Sequence, residues 1–278
     1  MPMSRTVLFL LMSVFCVASF PALAVDGMAA PWQMYFQQAA SPVMEKLVHL
    51  HDYLMVVITS ICVFVLALII YICLRFNRRA NPVPSKTSHN TLIEIIWTTI
   101  PVLILVSIFI PSIKILYFMD RAEKADMTLK VTGHQWYWSY EYPEHPGLAF
   151  DSNMVETKDL KPGQVRLLEV DNRIVVPVNT TVRVLTAGAD VIHNFALPAF
   201  GLKIDAVPGR LNETWFKATR EGVFRGQCSE LCGVRHGFMP IVIEVVSKKA
   251  FDAWVASKTQ SASTQGRVVF AGRARSAG

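Results

Sequence analysis

Gly226-Gln227-Cys228-Ser229-Glu230-Leu231-Cys232-Gly233-Val234-Arg235-His236-Gly237-Phe238-Met239-Pro240 places two thiols, an imidazole and a thioether within twelve residues, spaced Cys-x3-Cys-x3-His-x2-Met. A further donor, His193, stands 35 residues before Cys228 at the end of an expected strand, in Asp190-Val191-Ile192-His193-Asn194-Phe195. Thiolate, thioether and imidazole together form the ligand set that suits copper and tunes its potential, whereas a structural zinc has no use for the methionine. A mononuclear blue-copper site takes two histidines, one cysteine and an axial methionine, so this sequence supplies one thiolate too many. With both cysteines deprotonated, each sulfur can bridge two copper ions, and each copper then takes one terminal imidazole and one weak axial donor. Such a pair shares one odd electron over two metals, which keeps bond lengths nearly constant on reduction and makes transfer fast. Two plainer readings stand beside this one: a local disulfide between Cys228 and Cys232 in an oxidising compartment, and a copper-delivery thiol pair. Neither accounts together for His236, Met239 and the membrane anchor described below. The remaining cysteines, Cys16, Cys62 and Cys73, fall in apolar runs, so the chain has no disulfide framework.

Around this loop, from Met127 to Val246, short alternating or β-branched runs are separated by turn residues. Strands are expected over Thr128 to Tyr142, Gln164 to Val170, Thr181 to Thr186, Val191 to Leu197, Glu213 to Ala218 and Pro240 to Val246. Lys161-Pro162-Gly163, Pro208-Gly209 and Glu221-Gly222 punctuate them at the spacing of an antiparallel sandwich or barrel. Trp136, Tyr137, Trp138 and Tyr140 read first as strand packing.

Nearer the N-terminus the chain changes solvent. Residues 1–24 read as an export signal: Arg5, the apolar run Val7 to Phe20, then Ala22-Leu23-Ala24 as a small-x-small cleavage pattern. The 25–120 region carries two uncharged apolar stretches, Tyr53 to Leu74 and Ile95 to Ile113, which predict membrane-spanning helices over about 53–75 and 94–118. Pro101 and Pro111 in the second imply neighbouring helices. Arg75, Arg78, Arg79 and Lys86 load the connecting loop and place it in the cytoplasm, with both termini on the periplasmic side of a bacterial inner membrane. Thr91-x-x-Glu94 reads as a capping box at the start of the second helix. Net charge is +6, but no basic stripe interleaves with aromatics, which argues against nucleic acid as a partner. Beyond Phe251 the composition predicts a solvated tail, 251–278.

The copper loop, together with Gly133-His134-Gln135-Trp136-Tyr137-Trp138-Ser139-Tyr140-Glu141-Tyr142 and Gly201-Leu202-Lys203-Ile204-Asp205-Ala206-Val207-Pro208-Gly209-Arg210, resembles cytochrome c oxidase subunit II of the haem-copper family, from about Trp32 to Trp254. The resemblance implies a two-helix transmembrane hairpin followed by an all-β cupredoxin-like Greek-key barrel over 121–250. It also implies a binuclear CuA centre of two copper ions held by Cys228, Cys232, His193, His236, Met239 and the backbone carbonyl of Glu230, whose carboxylate serves a magnesium or manganese ion shared with subunit I. Trp136 is then the ring where electrons arrive from cytochrome c, Glu94 the entrance of a proton path into subunit I, and Asp190, with Glu141, Glu144, Asp151, Asp159 and Asp171, an acidic docking face. The implied role is to pass electrons from cytochrome c to haem in subunit I, beside subunit III, for reduction of dioxygen with proton pumping. No Cys-x-x-Cys-His occurs, so no haem is expected in this chain. The competing readings are a copper-trafficking membrane protein and the subunit II of a copper-free quinol oxidase; every ligand position being filled argues against the latter.

Overall fold

The computed structural model describes residues 28–120 and 124–259. The expected signal, 1–24, and the tail beyond 259 lie outside the described residues.

Helix α1 runs Pro42–Arg75 and helix α2 runs Thr91–Asp120. Ser41 stops α1 at its N-terminus: its hydroxyl oxygen accepts from the Met44 amide at 3.0 Å while its own O–H donates to the Phe200 carbonyl at 2.6 Å. One residue thus caps the helix and ties it to the β domain. α1 begins 11 residues before the uncharged stretch at Tyr53, so the segment that carries Glu45, Lys46, His49, His51 and Asp52 extends the helix beyond the apolar run. Its 34 residues give a length of about 51 Å, against a hydrocarbon core of about 30 Å, so its first three turns stand clear of the apolar layer. At the start of α2 the cap is Asn90 rather than Thr91: Asn90 Oδ1 accepts from the Ile93 amide at 3.2 Å, and Glu94 reaches back to the Asn90 amide at 3.3 Å. Both helices expose their apolar side chains along their length, the surface expected of segments whose solvent is lipid or a partner helix. The chain is a multi-pass membrane protein.

The extramembrane domain is built from β1 (Met127–His134), β2 (Tyr137–Glu141), β3 (Ala149–Ser152), β4 (Ile174–Pro177), β5 (Thr181–Gly188), β6 (His193–Leu197), β7 (Leu202–Ala206), β8 (Asn212–Lys217), β9 (Gly222–Gln227) and β10 (Pro240–Val246). A five-stranded sheet has the order β3-β2-β1-β5-β8, a second sheet the order β4-β10-β9, and β6-β7 forms a hairpin of its own. β1 with β5 and β4 with β10 are parallel pairs; the other pairings are antiparallel. The described strands therefore make a mixed-sheet domain in three hydrogen-bonded groups, and no continuous ladder closes them into one barrel. Strict alternation along β1 sends Met127, Leu129, Val131 and Gly133 inward. They meet Trp138, Tyr140, Phe195, Phe216, Phe224 and Ile243 in one core.

Three expectations change. Gln164 to Val170 is not a strand: turns follow Lys161-Pro162-Gly163, Leu167 takes φ +65°, and Val170 keeps only an isolated bridge to Met154. β2, β3, β4, β7 and β9 were not expected as separate strands: the run Thr128 to Tyr142 folds back at Gln135-Trp136 into the antiparallel pair β1–β2, and β4 is buried at every position, so its sequence carries no alternation to detect. Finally, 248–259 is helical rather than a solvated tail. Phe251 is buried and Trp254 packs against Tyr142 and Phe150, which covers the side of the core that the strands leave open.

Candidate metal centre

His193 opens β6 and is fully buried, with the Trp138 ring edge-on at 5.9 Å. A Cβ on Gly133 would lie 2.8 Å from the imidazole, so β1 leaves room for the ring only because that position lacks a side chain. The loop between β9 and β10 wraps over it. Its two ends are pinned together by the Cys228 amide donating to the Met239 carbonyl at 3.4 Å. It is tied to the strands beneath by Ser229 N–H to the Asn194 carbonyl at 3.2 Å and Trp138 Nε1–H to the Met239 carbonyl at 3.2 Å. Gly226 lets β9 approach β6 this closely, since a Cβ there would fall 1.8 Å from the Ala196 carbonyl oxygen. A short 3-10 turn, His236–Phe238, then presents the second imidazole.

The donor atoms converge. Cys228 Sγ and Cys232 Sγ are 3.8 Å apart, far beyond the S–S bond length of about 2.05 Å, so the two are thiols. Cys232 Sγ lies 3.6 Å from His236 Nδ1 and 3.6 Å from Met239 Sδ. The Glu230 carbonyl oxygen is 3.3 Å from Cys228 Sγ, while the Glu230 side chain points to solvent. Donor atoms of His193, Cys228 and Cys232 all lie within 4.8 Å of one another.

His193 decides what the cluster is for. Its Nε2 is 2.8 Å from Asp190 Oδ1, and donation there leaves the lone pair on Nδ1. Nδ1 is buried, has no hydrogen-bond partner and belongs to the cluster of soft donors. A buried polar atom with no partner is costly; a metal ion beside the thiols removes the cost. Electrostatics prepares the same arrangement. Burial pushes the Cys228 thiol up, but the nearby His193 imidazole, the backbone of the loop and His236 outweigh it and bring it down to about 6. At Cys232 burial and the neighbouring Cys228 charge act together and push the thiol up to about 12. Cys228 is thus the readier of the two to ionise, and a bound cation would favour ionisation of the other.

Known proteins match this architecture over most of the chain. The model described as cytochrome C oxidase subunit II, periplasmic domain, matches residues 127–246, and that described as cytochrome C oxidase subunit II, transmembrane domain, matches residues 29–115. The chain belongs to the cytochrome c oxidase subunit II family. It is 57% identical over 252 residues to "Probable cytochrome c oxidase subunit 2" of Rickettsia bellii, covering 91% of each chain. With cytochrome c oxidase subunit 2 of Phytophthora megasperma it shares 50% identity over 236 residues, 83% of this chain and 89% of that one. The crystal structure of the periplasmic domain of subunit II of cytochrome oxidase from Bradyrhizobium japonicum is 60% identical and covers 51% of this chain and 99% of that chain, with a TM-score of 0.47. As a subunit II, the chain is a component of an oxidoreductase complex, and its His193, Cys228 and Cys232 form a group able to hold a metal ion, consistent with a copper electron-transfer centre.

The other expected site residues fall in different places. Trp136 lies in the turn between β1 and β2, half-buried, and its indole N–H donates to the Cys232 carbonyl at 3.2 Å; Gln135 Nε2 donates to the same oxygen at 2.9 Å. Asp190 is less a free surface charge than its place in sequence suggested. Its Oδ2 accepts from the Gln135 amide at 2.7 Å, and its Oδ1 serves both His193 and the Val191 amide. These bonds hold its carboxyl below the usual range despite partial burial. The acidic face is also split: Glu141 closes β2 at the end away from Trp136, paired with Lys130 at 2.8 Å. Gln135 was missed as a supporting residue, and only its position next to Trp136 hinted at it. Glu94 is remote from the cluster, at the far end of α2.

Proposed function

We propose that this chain takes electrons singly from a cytochrome c at the Trp136 turn and delivers them, through a binuclear copper centre, toward haem in subunit I of a cytochrome c oxidase. The observation that carries the reading is the unpartnered, buried His193 Nδ1 beside two thiols 3.8 Å apart. Cys228, Cys232, His193, His236, Met239 and the Glu230 carbonyl would hold the copper, the thiols and imidazoles as its main donors and the thioether and carbonyl as weaker ones. When bound, the copper pair supplies a one-electron couple with its odd electron shared over both metals. The chain's own residues do the rest. Asp190 fixes the His193 tautomer, the loop anchors at Asn194 and Trp138 hold the donors at their spacing, and Trp136 offers a ring one hydrogen bond from a ligand residue. Around it, Leu231 and Val234 are 79% and 90% exposed, and Val191, Ile192 and Phe238 are exposed too, an apolar rim suited to a protein donor. We read the β domain as cupredoxin-like and Greek-key, supported by its two parallel pairings, and place it on the periplasmic side with the hairpin loop and its arginines in the cytoplasm; subunit III is the second expected partner.

The isolated β domain, residues 124–259 so that the C-terminal helix is retained, is expected to bind two copper ions per chain and turn purple. Metal analysis with an EPR spectrum checks this. A stoichiometry of one, or hyperfine structure from a single copper, sinks the binuclear reading.

Glu230 divides its labour between carbonyl and carboxylate, the first turned to Cys228 and the second to solvent. We assign the carboxylate to a magnesium or manganese ion shared with subunit I. Glu230→Gln is expected to spare the copper spectrum and lower manganese retention in the assembled oxidase at least tenfold; the reverse pattern overturns the assignment. Glu94 already serves the Asn90 amide, so its proton-path role needs a test that capping would not satisfy. With an intact haem and copper complement, Glu94→Ala is expected to slow turnover at least severalfold. A fall in melting temperature alone leaves it a cap.

A further inference from the structure

We propose that the groove between α1 and α2, just beneath the β domain, binds the headgroup of an anionic phospholipid. The proposal rests on the membrane-spanning character of the two helices, not on the copper centre. The groove, about 670 Å³, is lined by Lys46, His49, Leu50 and Tyr53 of α1 and by Ser107, Pro111, Lys114, Ile115 and Phe118 of α2. Its end of the hairpin abuts the β domain: the Trp215 indole N–H donates to the Phe118 carbonyl at 3.1 Å, and Ser41 holds Phe200.

Depth sorts the lining by chemistry. Lys46 lies four residues, about 6 Å, from the start of α1, and Lys114 six residues, about 9 Å, from the end of α2. Both stand outside the uncharged stretches Tyr53 to Leu74 and Ile95 to Ile113, at the level of lipid headgroups. Deeper, the lining turns to Leu50, Tyr53 and Pro111, and a Tyr53 to Ser107 hydroxyl pair at 2.7 Å closes the floor. The gradient from a cationic mouth through apolar walls to a hydroxyl pair suits a phosphate above glycerol esters and the start of the acyl chains.

Charge selects the anionic class. Lys46 Nζ reaches across the mouth to the Phe118 ring, 4.8 Å from its centroid, which brings a cation from α1 onto the face of α2 that carries Lys114. Among the described residues, no acidic side chain lines the groove. Two lysines also run against the charge bias of this side of the membrane, where cations are normally scarce. Lysine beside an anionic headgroup strengthens association about fivefold per residue, so a groove with two discriminates anionic from zwitterionic lipid by more than tenfold.

The test uses the assembled oxidase in nanodiscs containing phosphatidylglycerol with a photoreactive group near the glycerol. Crosslinks are expected on residues 42–53 and 107–118, and the Lys46→Gln/Lys114→Gln variant is expected to lose about twenty-five-fold of that yield relative to crosslinks on other subunits. Lys46→Arg/Lys114→Arg should retain it, and the copper spectrum of each variant checks that the chain has folded. Three results overturn the proposal: equal labelling by a phosphatidylcholine probe, displacement of the label by millimolar inorganic phosphate, or a carbodiimide crosslink from either lysine to a partner subunit's carboxylate.

Discussion

Replacing Cys228 or Cys232 by serine is expected to abolish the binuclear centre, taking copper from two ions per chain to at most one and removing the purple chromophore. The argument is chemical and geometric. Serine is nearly isosteric with cysteine, so the fold should survive, but its hydroxyl is a hard, weakly acidic donor that does not bridge soft copper. The thiols also act as a pair: Cys228 contacts the Glu230 carbonyl, and Cys232 contacts both His236 and Met239. Losing either sulfur therefore strips one wall of the cluster. Far-ultraviolet circular dichroism of the 124–259 domain should match the parent, and copper content by mass spectrometry should not. Two coppers in either serine variant would falsify the bridging assignment. Met239→Leu offers the graded comparison, because leucine conserves volume in a fully buried position. Copper binding should persist in part, with a shifted potential.

Trp136→Gln is expected to slow cytochrome-driven reduction of the centre by two orders of magnitude or more at every ionic strength. Its indole N–H donates to the carbonyl of Cys232, a proposed ligand, at 3.2 Å, so the ring offers a short path to the proposed centre that screening by salt does not touch. Acidic docking residues behave oppositely. Their attraction for a basic cytochrome fades over a Debye length of about 8 Å at physiological ionic strength, so neutralising exposed Glu144 should raise the apparent KM at low salt and matter little at high salt. Asp190 is a poor probe of docking, since neutralising it also disturbs His193 and should change the copper spectrum. Stopped-flow reduction across a salt series separates the three. A Trp136 defect that tracks docking affinity, or one that appears equally with a small-molecule reductant, removes Trp136 from the electron path.

The sequence was legible where chemistry is local. Cys228, Cys232, His236 and Met239 lie on one short loop, so their donor types and spacing announce a soft-metal site before any fold is known. Tyr53 to Leu74 and Ile95 to Ile113 announce membrane helices, because lipid demands an uninterrupted apolar run. It was less legible where neighbours decide. β4 is buried on both faces and so shows no alternation, and 248–259 looks polar until Phe251 and Trp254 are seen to face the core. Glu94 and Asn90 show the same limit at small scale: the cap shifted by one residue, because the choice between Asn90 and Thr91 is settled by which side chain reaches the Ile93 amide.

By itself the sequence determined the donor set, the two spanning helices and the β character of the domain between Met127 and Val246, since each follows from residue type and period. Only the tertiary structure decided that His193, 35 residues away, closes the cluster with its Nδ1 unpartnered, that Asp190 orients this ring rather than standing free at the surface, and that Gln135 and Trp136 reach the Cys232 carbonyl. The reason is physical: which donor faces which acceptor across separate strands depends on register and on close approaches such as that of Gly226 to Ala196, and those are fixed by packing of the whole core rather than by any one segment.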